Sequence, residues 1–166
     1  TAGLLSQRDE SVIHPSASVD SSVQITGRVV IGPRARIGPT TYIRGPAVIG
    51  AGVHLGHAVE VKASIIMADT AIPHLSYVGD SIIGSGVNLG AGTVVANLRH
   101  DGGRVPIGEG DDRMLTERRK LGAIIGDGVK TGVNASIMPG TRIGPDQSIP
   151  PGEVVKGDLM ASGATD

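Results

Sequence analysis

Cysteine is absent from the 166 residues, which excludes disulfides and thiolate metal sites and leaves the redox compartment open. Phenylalanine and tryptophan are absent too, and tyrosine occurs twice. An ordinary globular core uses aromatic rings as large fillers; a core without them must be narrow and uniform in cross-section. Charge of one sign is not in excess: the formal net charge is −1, so neither nucleic acid nor an anionic membrane is expected as a partner. No apolar run approaches the width of a bilayer. The opening "TAGLLSQRDES" has neither the basic start nor the apolar stretch of a secretory leader, and a cytoplasmic location is expected. The chain has no initiator methionine, so a processed or excised piece of a longer protein is also expected.

What the chain has instead is 26 glycines and a repeat of six. Every sixth residue from Ile13 is aliphatic: Ile13, Val19, Ile25, Ile31, Ile37, Ile43, Ile49, Leu55, Val61. Four residues after each lies a second, small apolar series: Ala17, Val23, Val29, Ala35, Thr41, Ala47, Val53, Val59, Ile65. The pattern resumes at Ile125, Thr131, Ile137, Ile143, Ile149 and Val155. A period of six fits neither a helix nor a simple alternating strand. It fits a short strand and a tight turn, with glycines supplying turn conformations that other residues resist. Three such units make a triangular coil of about 18 residues, and coils stack into a prism whose axis the aliphatic series fills. Such a prism serves equally as a plain scaffold or as a trimerisation module.

The register breaks twice. After Val61 and Met67 the next aliphatics fall at Ile72, Val78, Ile83, Leu89 and Val95, with two five-residue steps among them. The segment Ala68 to Tyr77 is therefore expected to form a kinked coil or small protrusion, and His74 lies on it. A side chain on an irregular segment held by a rigid scaffold is a usual placement for a catalytic group. The second break, 98–121, is polar, glycine-rich and charged. It reads as an excursion from the prism, a hairpin-like arm toward a neighbouring protomer. Its basic end, Arg118, Arg119 and Lys120, either meets phosphates or is an ordinary solvated charge run. The whole chain, 1–166, reads as one domain with coils at 12–97 and 122–157 and a tail at 158–166.

The blocks "VEVK", "HLSYVGDS", "VNLGAGT" and "AN", with the later "RRKLGAIIGDGVKTGVNASIMPGTRIG", resemble the acetyltransferase half of bifunctional sugar-1-phosphate nucleotidylyltransferase/acetyltransferases, especially their archaeal-type branch. The resemblance covers residues 12–157. It implies an all-β fold, a left-handed parallel β-helix of hexapeptide repeats, with the handedness coming from the resemblance alone. It implies a homotrimer with sites in the clefts between prisms. The implied activity is acetyl transfer from acetyl-CoA to the amine of glucosamine-1-phosphate or galactosamine-1-phosphate, with no metal required. Carried over by position, His74 is the general base. Arg44, Lys62 and Tyr77 hold the sugar phosphate, and Asn88 contacts the sugar. Asn97 helps place the thioester, and the backbone N–H near Ala91 faces the developing oxyanion; apart from these matched positions, Lys120 at the basic end of the excursion is expected to bind the donor.

The chemistry suits those residue types. Imidazole titrates near neutrality and can accept a proton from an ammonium group. A phosphate dianion suits Arg and Lys, and acyl transfer needs fixed donors where charge develops. Arg44 and Lys62 are separated by three repeats, one full coil, so they should stack on one side of the prism. Two departures from the bacterial members stand out: Leu98 replaces a tyrosine, and the 98–121 excursion replaces a short basic loop. No nucleotide-binding loop precedes residue 12, so the nucleotidylyltransferase domain is expected to be missing.

Three other readings compete. The chain is a non-catalytic trimerisation module of a sugar nucleotidylyltransferase, or it acylates another amino or hydroxy acceptor. A zinc site of the gamma-class carbonic anhydrase type needs two histidines five apart, and none of His14, His54, His57, His74 and His100 has that spacing. "GSGVNLGAG" and "GAIIGDGVK" are not nucleotide loops, since neither has the helix or the Gly-Lys-Ser/Thr that such loops require.

Overall fold

A computed structural model describes residues 11–160. The chain is a parallel β-solenoid of two- to four-residue strands, with no α-helix among the described residues. The strands stack into three ladders, one of eight and two of seven, which form the faces of the prism. Face 1 begins at Val12–Ile13, face 2 at Ser18–Val19 and face 3 at Gln24–Thr26, and each successive coil adds one parallel strand to each.

The six-residue series becomes the axis. Ile31, Ile43, Ile49, Leu55, Ile72, Ile83, Leu89, Ile125 and Ile137 are at most 2% exposed. Ile13, at the open end of the prism, is 44% exposed because no coil covers it. The buried hydroxyls are all paired, and no buried side-chain nitrogen or oxygen among the described residues lacks a partner. Thr41, for instance, donates to the Gly56 carbonyl at 2.9 Å. Paired in this way, these polar groups can sit beside the axis without a desolvation cost.

The first irregularity lies elsewhere than the period suggests. The axis passes from Val61 to Ile66, fully buried, while Met67 is 42% and Ile65 43% exposed. The short steps are thus Val61–Ile66 and Val78–Ile83, and both cut the same corner, between faces 3 and 1. There Ala63 and Asp80 take φ of 46° and 48°. The following serines tie the corner down: Ser64 donates to the Lys62 carbonyl and Ser81 to the Gly79 carbonyl, each at 2.7 Å. The interstrand offset accordingly shortens by one position across these coils, as in Val48↔Ile65↔Ile82. Met67 looks equivalent to Ile66 in sequence because two adjacent apolar residues leave the phase open.

The segment Ala68 to Tyr77 accordingly does not protrude. Ala71–His74 is a regular four-residue strand, paired with His54 and Leu55 and with His57 of the coil above. The fit depends on Gly56. A β-carbon there would run into the Pro73 carbonyl oxygen and lie 2.6 Å from its carbonyl carbon.

The second break is a hairpin. Pro106–Ile107 pairs antiparallel with Met114–Leu115, and Leu98 bridges Lys120 at its base. All three faces resume in phase beyond it, as in Ile82↔Ile124, so the segment 98–121 is looped out of one coil without disturbing the register. The hairpin folds against its own chain. Val105 is fully buried, and Glu109 accepts a hydrogen bond from the Asp158 amide at 3.2 Å. Beyond the last hexad, Asp158–Leu159 adds a strand to face 1, and Arg142 clasps the Asp158 carboxylate through two nitrogens.

One face differs from the others on its outside. Along face 1, Val12, Val30, Val48, Ile65, Ile82 and Ile124 point outward from successive coils, each 38–61% exposed. Faces 2 and 3 present mainly polar residues at the same depth, such as Arg36, His54, Glu60 and Asn88.

Candidate active site

The corner between faces 3 and 1 gathers most of the expected residues. Arg44 and Lys62 are direct partners in adjacent strands, as their spacing of one coil requires. Lys62 donates to Asp80 Oδ2 at 2.7 Å, with both side chains largely shielded from water. Asn97 donates to the same oxygen at 2.5 Å. The left-handed backbone at Asp80, a conformation that aspartate tolerates better than most residues, directs its carboxylate toward both partners. Arg44 pairs with Glu60 at 3.0 Å and lies 5.7 Å from the Tyr42 ring centroid.

Tyr77 begins the face-3 strand Tyr77–Gly79 and reaches along it to this corner. Its ring is half-buried, and its hydroxyl and the Asn97 amide both lie against Gly79. Burial, then the Glu60 and Asp80 carboxylates, push the phenol up, so it stays a neutral donor. Gly79 is the reason the hydroxyl fits. A β-carbon there would overlap it and sit 2.7 Å from Asn97 Nδ2. Lys120 lies next to this cluster, since the residue after it, Leu121, donates its amide to the Asn97 carbonyl at 3.0 Å.

His74 sits at the opposite edge of face 3, where face 2 ends. The three-residue strand Tyr77–Gly79 separates it from the Lys62 corner by about 10 Å. Its side chain is exposed. Its main chain is fixed from both sides: Ser76 donates to its carbonyl at 2.8 Å, and so does the Gly92 amide at 3.1 Å. The second bond sets the turn Ala91–Gly92 one coil below His74. The Ala91 N–H has no backbone acceptor among the described residues, so it is available to an incoming group. Asn88 stands apart. It lies on face 2, paired with Ala71 and Lys130, and is exposed.

His54 and His57 stack above Ala71 and His74 on the same face. Burial, then Arg36 and His74, hold the His54 imidazole below its usual range. No group of three histidines, aspartates or glutamates among the described residues is arranged to hold a metal ion.

Three contributors are not apparent from the sequence: Glu60, Asp80 and Gly79. Asp80 did carry a signal, because it follows Lys62 by the length of a regular coil, just as Lys62 follows Arg44. The shortened coil then shifts Asp80 one position past direct pairing, which is what lets it reach sideways to both Lys62 and Asn97.

Residues 25–132 match the family described as the GMPPB C-terminal domain. Among curated proteins, the chain is 52% identical over 105 residues to a bifunctional sugar-1-phosphate nucleotidylyltransferase/acetyltransferase of Sulfurisphaera tokodaii, covering 63% of this chain and 26% of that one. It is 54% identical over 90 residues to the bifunctional protein GlmU of Methanocaldococcus jannaschii, covering 54% and 22%. The chain thus spans about a quarter of the length of these relatives. Among solved structures, AntD, an N-acyltransferase from Bacillus cereus in complex with dTDP and 3-hydroxybutyryl-CoA, aligns with a TM-score of 0.51 at 17% identity. That alignment covers 96% of this chain and 80% of AntD, a likeness of fold alone.

Proposed function

The chain belongs to the GMPPB C-terminal domain family, and from that premise we propose that it transfers acetyl from acetyl-CoA to the amine of an amino-sugar-1-phosphate. The observation that carries this is the shared Asp80 oxygen, which ties a phosphate-binding cation, Lys62, to the amide of Asn97. A scaffold has no use for a shielded Lys–Asp–Asn–Tyr cluster at one corner. The identity to archaeal nucleotidylyltransferase/acetyltransferases and to GlmU supports the same reaction class.

In this reading Arg44 and Lys62 hold the sugar phosphate, and the neutral Tyr77 hydroxyl donates to it. The sugar lies on face 3 between these cations and His74. His74 takes a proton from the ammonium form. The amine nitrogen then attacks the thioester carbonyl carbon; the N–C bond forms, the C–S bond breaks, and the CoA thiolate leaves and takes up the second proton, which the nitrogen sheds as it becomes an amide. The Ala91 N–H stabilises the oxyanion, a donor of the kind worth about 3 kcal/mol when fixed in place. Asn97 and Lys120 orient the donor, and Asn88 contacts the sugar from face 2. No metal takes part in these steps.

The partner is a second and third copy of the same chain. The outward aliphatic ladder of face 1 supports a homotrimer, because contiguous apolar surface on a small protein marks an interaction face. The relatives' greater length supports a nucleotidylyltransferase domain on the same polypeptide, and a cytoplasmic setting suits the nucleotide-sugar chemistry. The test is thiol release from acetyl-CoA with glucosamine-1-phosphate and galactosamine-1-phosphate as acceptors, for wild type and His74→Ala. Acceptor-dependent release that disappears in the variant is expected. No release with either acceptor from a trimeric protein would instead leave the trimerisation module, which the face-1 ladder also suits.

A further inference from the structure

His57 and His74 stand in register on adjacent strands of face 2, and both side chains are exposed. An unbroken coil would not place them so. Three full repeats after His57 fall on Leu75, and the short step Val61–Ile66 removes the one position that brings His74 under His57 instead. In-register partners on parallel strands project their side chains to the same side, about 4.8 Å apart. His54, on the same strand as His57, pairs instead with Arg36 and Ala71.

The His57 ring is held in one tautomer. Thr40, one coil above, donates its hydroxyl proton to the Pro39 carbonyl at 2.8 Å. A hydroxyl has one proton, so at 3.3 Å from His57 Nδ1 the Thr40 oxygen acts only as acceptor. Nδ1 therefore carries the hydrogen, and Nε2 carries the lone pair. The two ring nitrogens face away from each other. With Nδ1 turned to the coil above, Nε2 is turned toward the coil of His74. Thr40 is itself fixed: its amide donates to Ser22 Oγ at 2.9 Å, and the Ser22 hydroxyl donates to Asp20 at 2.6 Å. A ring N–H anchored on a fixed oxygen, with the opposite nitrogen bare, is the outer support that metal-binding histidines use. The acetyl transfer described above makes no use of it.

We infer that His57 and His74 together bind a divalent transition-metal cation, each through a ring nitrogen. Two nitrogens on one tetrahedral zinc stand about 3.3 Å apart, and rings rooted about 4.8 Å apart reach that separation by leaning together. The pair is a two-residue site, distinct from the three-residue clusters that are absent among the described residues. Imidazole suits zinc, copper and nickel, whereas magnesium and calcium prefer oxygen. One consequence rests on the assignment of His74 as the base. A lone pair held by the metal cannot accept a proton from the acceptor ammonium, so metal occupancy and turnover exclude each other.

Calorimetric titration of the tag-free protein with zinc chloride tests the site without reference to activity. One zinc per chain is expected, no uptake of magnesium, and at least tenfold weaker zinc binding in His57→Asn and in His74→Ala alike. Both side chains are exposed, so neither variant should lose its fold. His14→Asn, which removes an imidazole bonded only to the nearby Ser16, should bind zinc as wild type does. Imidazole nitrogen resonances of the zinc-free protein should show the His57 hydrogen on Nδ1. Zinc binding that survives in either pair variant, an equal loss in His14→Asn, or a His57 hydrogen on Nε2 overturns the inference. The exclusion is read from the decay of thioester absorbance with the amino-sugar-1-phosphate as acceptor, because free thiol would itself capture zinc. Turnover should fall in step with zinc occupancy. Turnover that persists at full occupancy overturns the exclusion and the base assigned to His74, while the calorimetry still decides the site.

Discussion

Replacing Gly56 by alanine should cost about 3 kcal/mol and should damage turnover as well as stability. The new β-carbon would lie 2.6 Å from the Pro73 carbonyl carbon and 2.9 Å from its Cα, where ordinary contact begins near 3.4 Å. Both sides of that contact are backbone, so no side chain can rotate away, and the strand Ala71–His74 must move by close to 1 Å. The bonds that hold it to the coil above, His54 N–H to the Thr70 carbonyl at 2.9 Å and Leu75 N–H to the His57 carbonyl at 3.0 Å, would then open beyond useful length. Two such bonds are worth about 2 kcal/mol, and the remaining overpacking strain adds about 1 kcal/mol. For a chain of this size the melting temperature should fall by about 9 °C, read by far-ultraviolet circular dichroism. Because Pro73 precedes His74, turnover should fall at least tenfold; a displacement of 1 Å in a catalytic group costs about 100-fold in unfavourable cases. Gly86→Ala is the control. Gly86 has φ of 65° and open space around it, so it should cost about 1 kcal/mol of backbone strain and spare turnover. If Gly56→Ala melts within 2 °C of wild type, or loses less than Gly86→Ala, the close approach described here does not constrain the molecule.

Three further outcomes are expected. Ile66→Ala should cost about 3 kcal/mol and Met67→Ala less than about 0.5 kcal/mol in denaturant titrations, because only Ile66 lies on the axis; the reverse order would restore the unbroken six-residue phase. Asp80→Asn should cost about 2 kcal/mol, less than a fully buried pair because both partners keep some contact with water. Asp80→Asn should also raise KM for the sugar phosphate more than it lowers kcat, and an unchanged KM would detach Lys62 from that substrate. The His54 imidazole lies below its ordinary range when folded, so its contribution to stability is complete above about pH 6.5 and is lost as pH falls through the depressed folded value. Unfolding midpoints should therefore drop between pH 7.5 and pH 5.5, and His54→Gln should shrink that drop.

The prism was legible in the sequence because its period is a property of single residues. An aliphatic every six positions with no ring among them admits little else, and Arg44 and Lys62 met as their spacing of one coil required. The phase across Ile65, Ile66 and Met67 was not legible. Three large apolar residues in a row satisfy the pattern in more than one register, and the choice is made by corner geometry at Ala63 and Ser64. The irregular feature consequently moved from His74 to the corner holding Lys62 and Asp80. The excursion was visible as a loss of pattern, but its return onto its own chain was not, since Val105 and Gly140 reveal their fit only once both are in place. Within the candidate site, the base and the cations stood out by residue type. Asp80 did not, because its one mark, a spacing of one regular coil from Lys62, predicts direct pairing, and only the shortened coil turns it sideways to Lys62 and Asn97.

The chain's only two near-ultraviolet chromophores of consequence are Tyr42 and Tyr77, and both stand on face 3, flanking Glu60 from the coils above and below. The axis of the prism is optically silent. Intrinsic emission from this protein therefore carries no signal from the core and comes wholly from the surface on which the sugar is proposed to lie. A ligand settling against Tyr77 should alter that emission without any added label. Conversely, a melt followed by tyrosine emission would record the loss of one face, and the rest of the molecule has to be watched through its backbone.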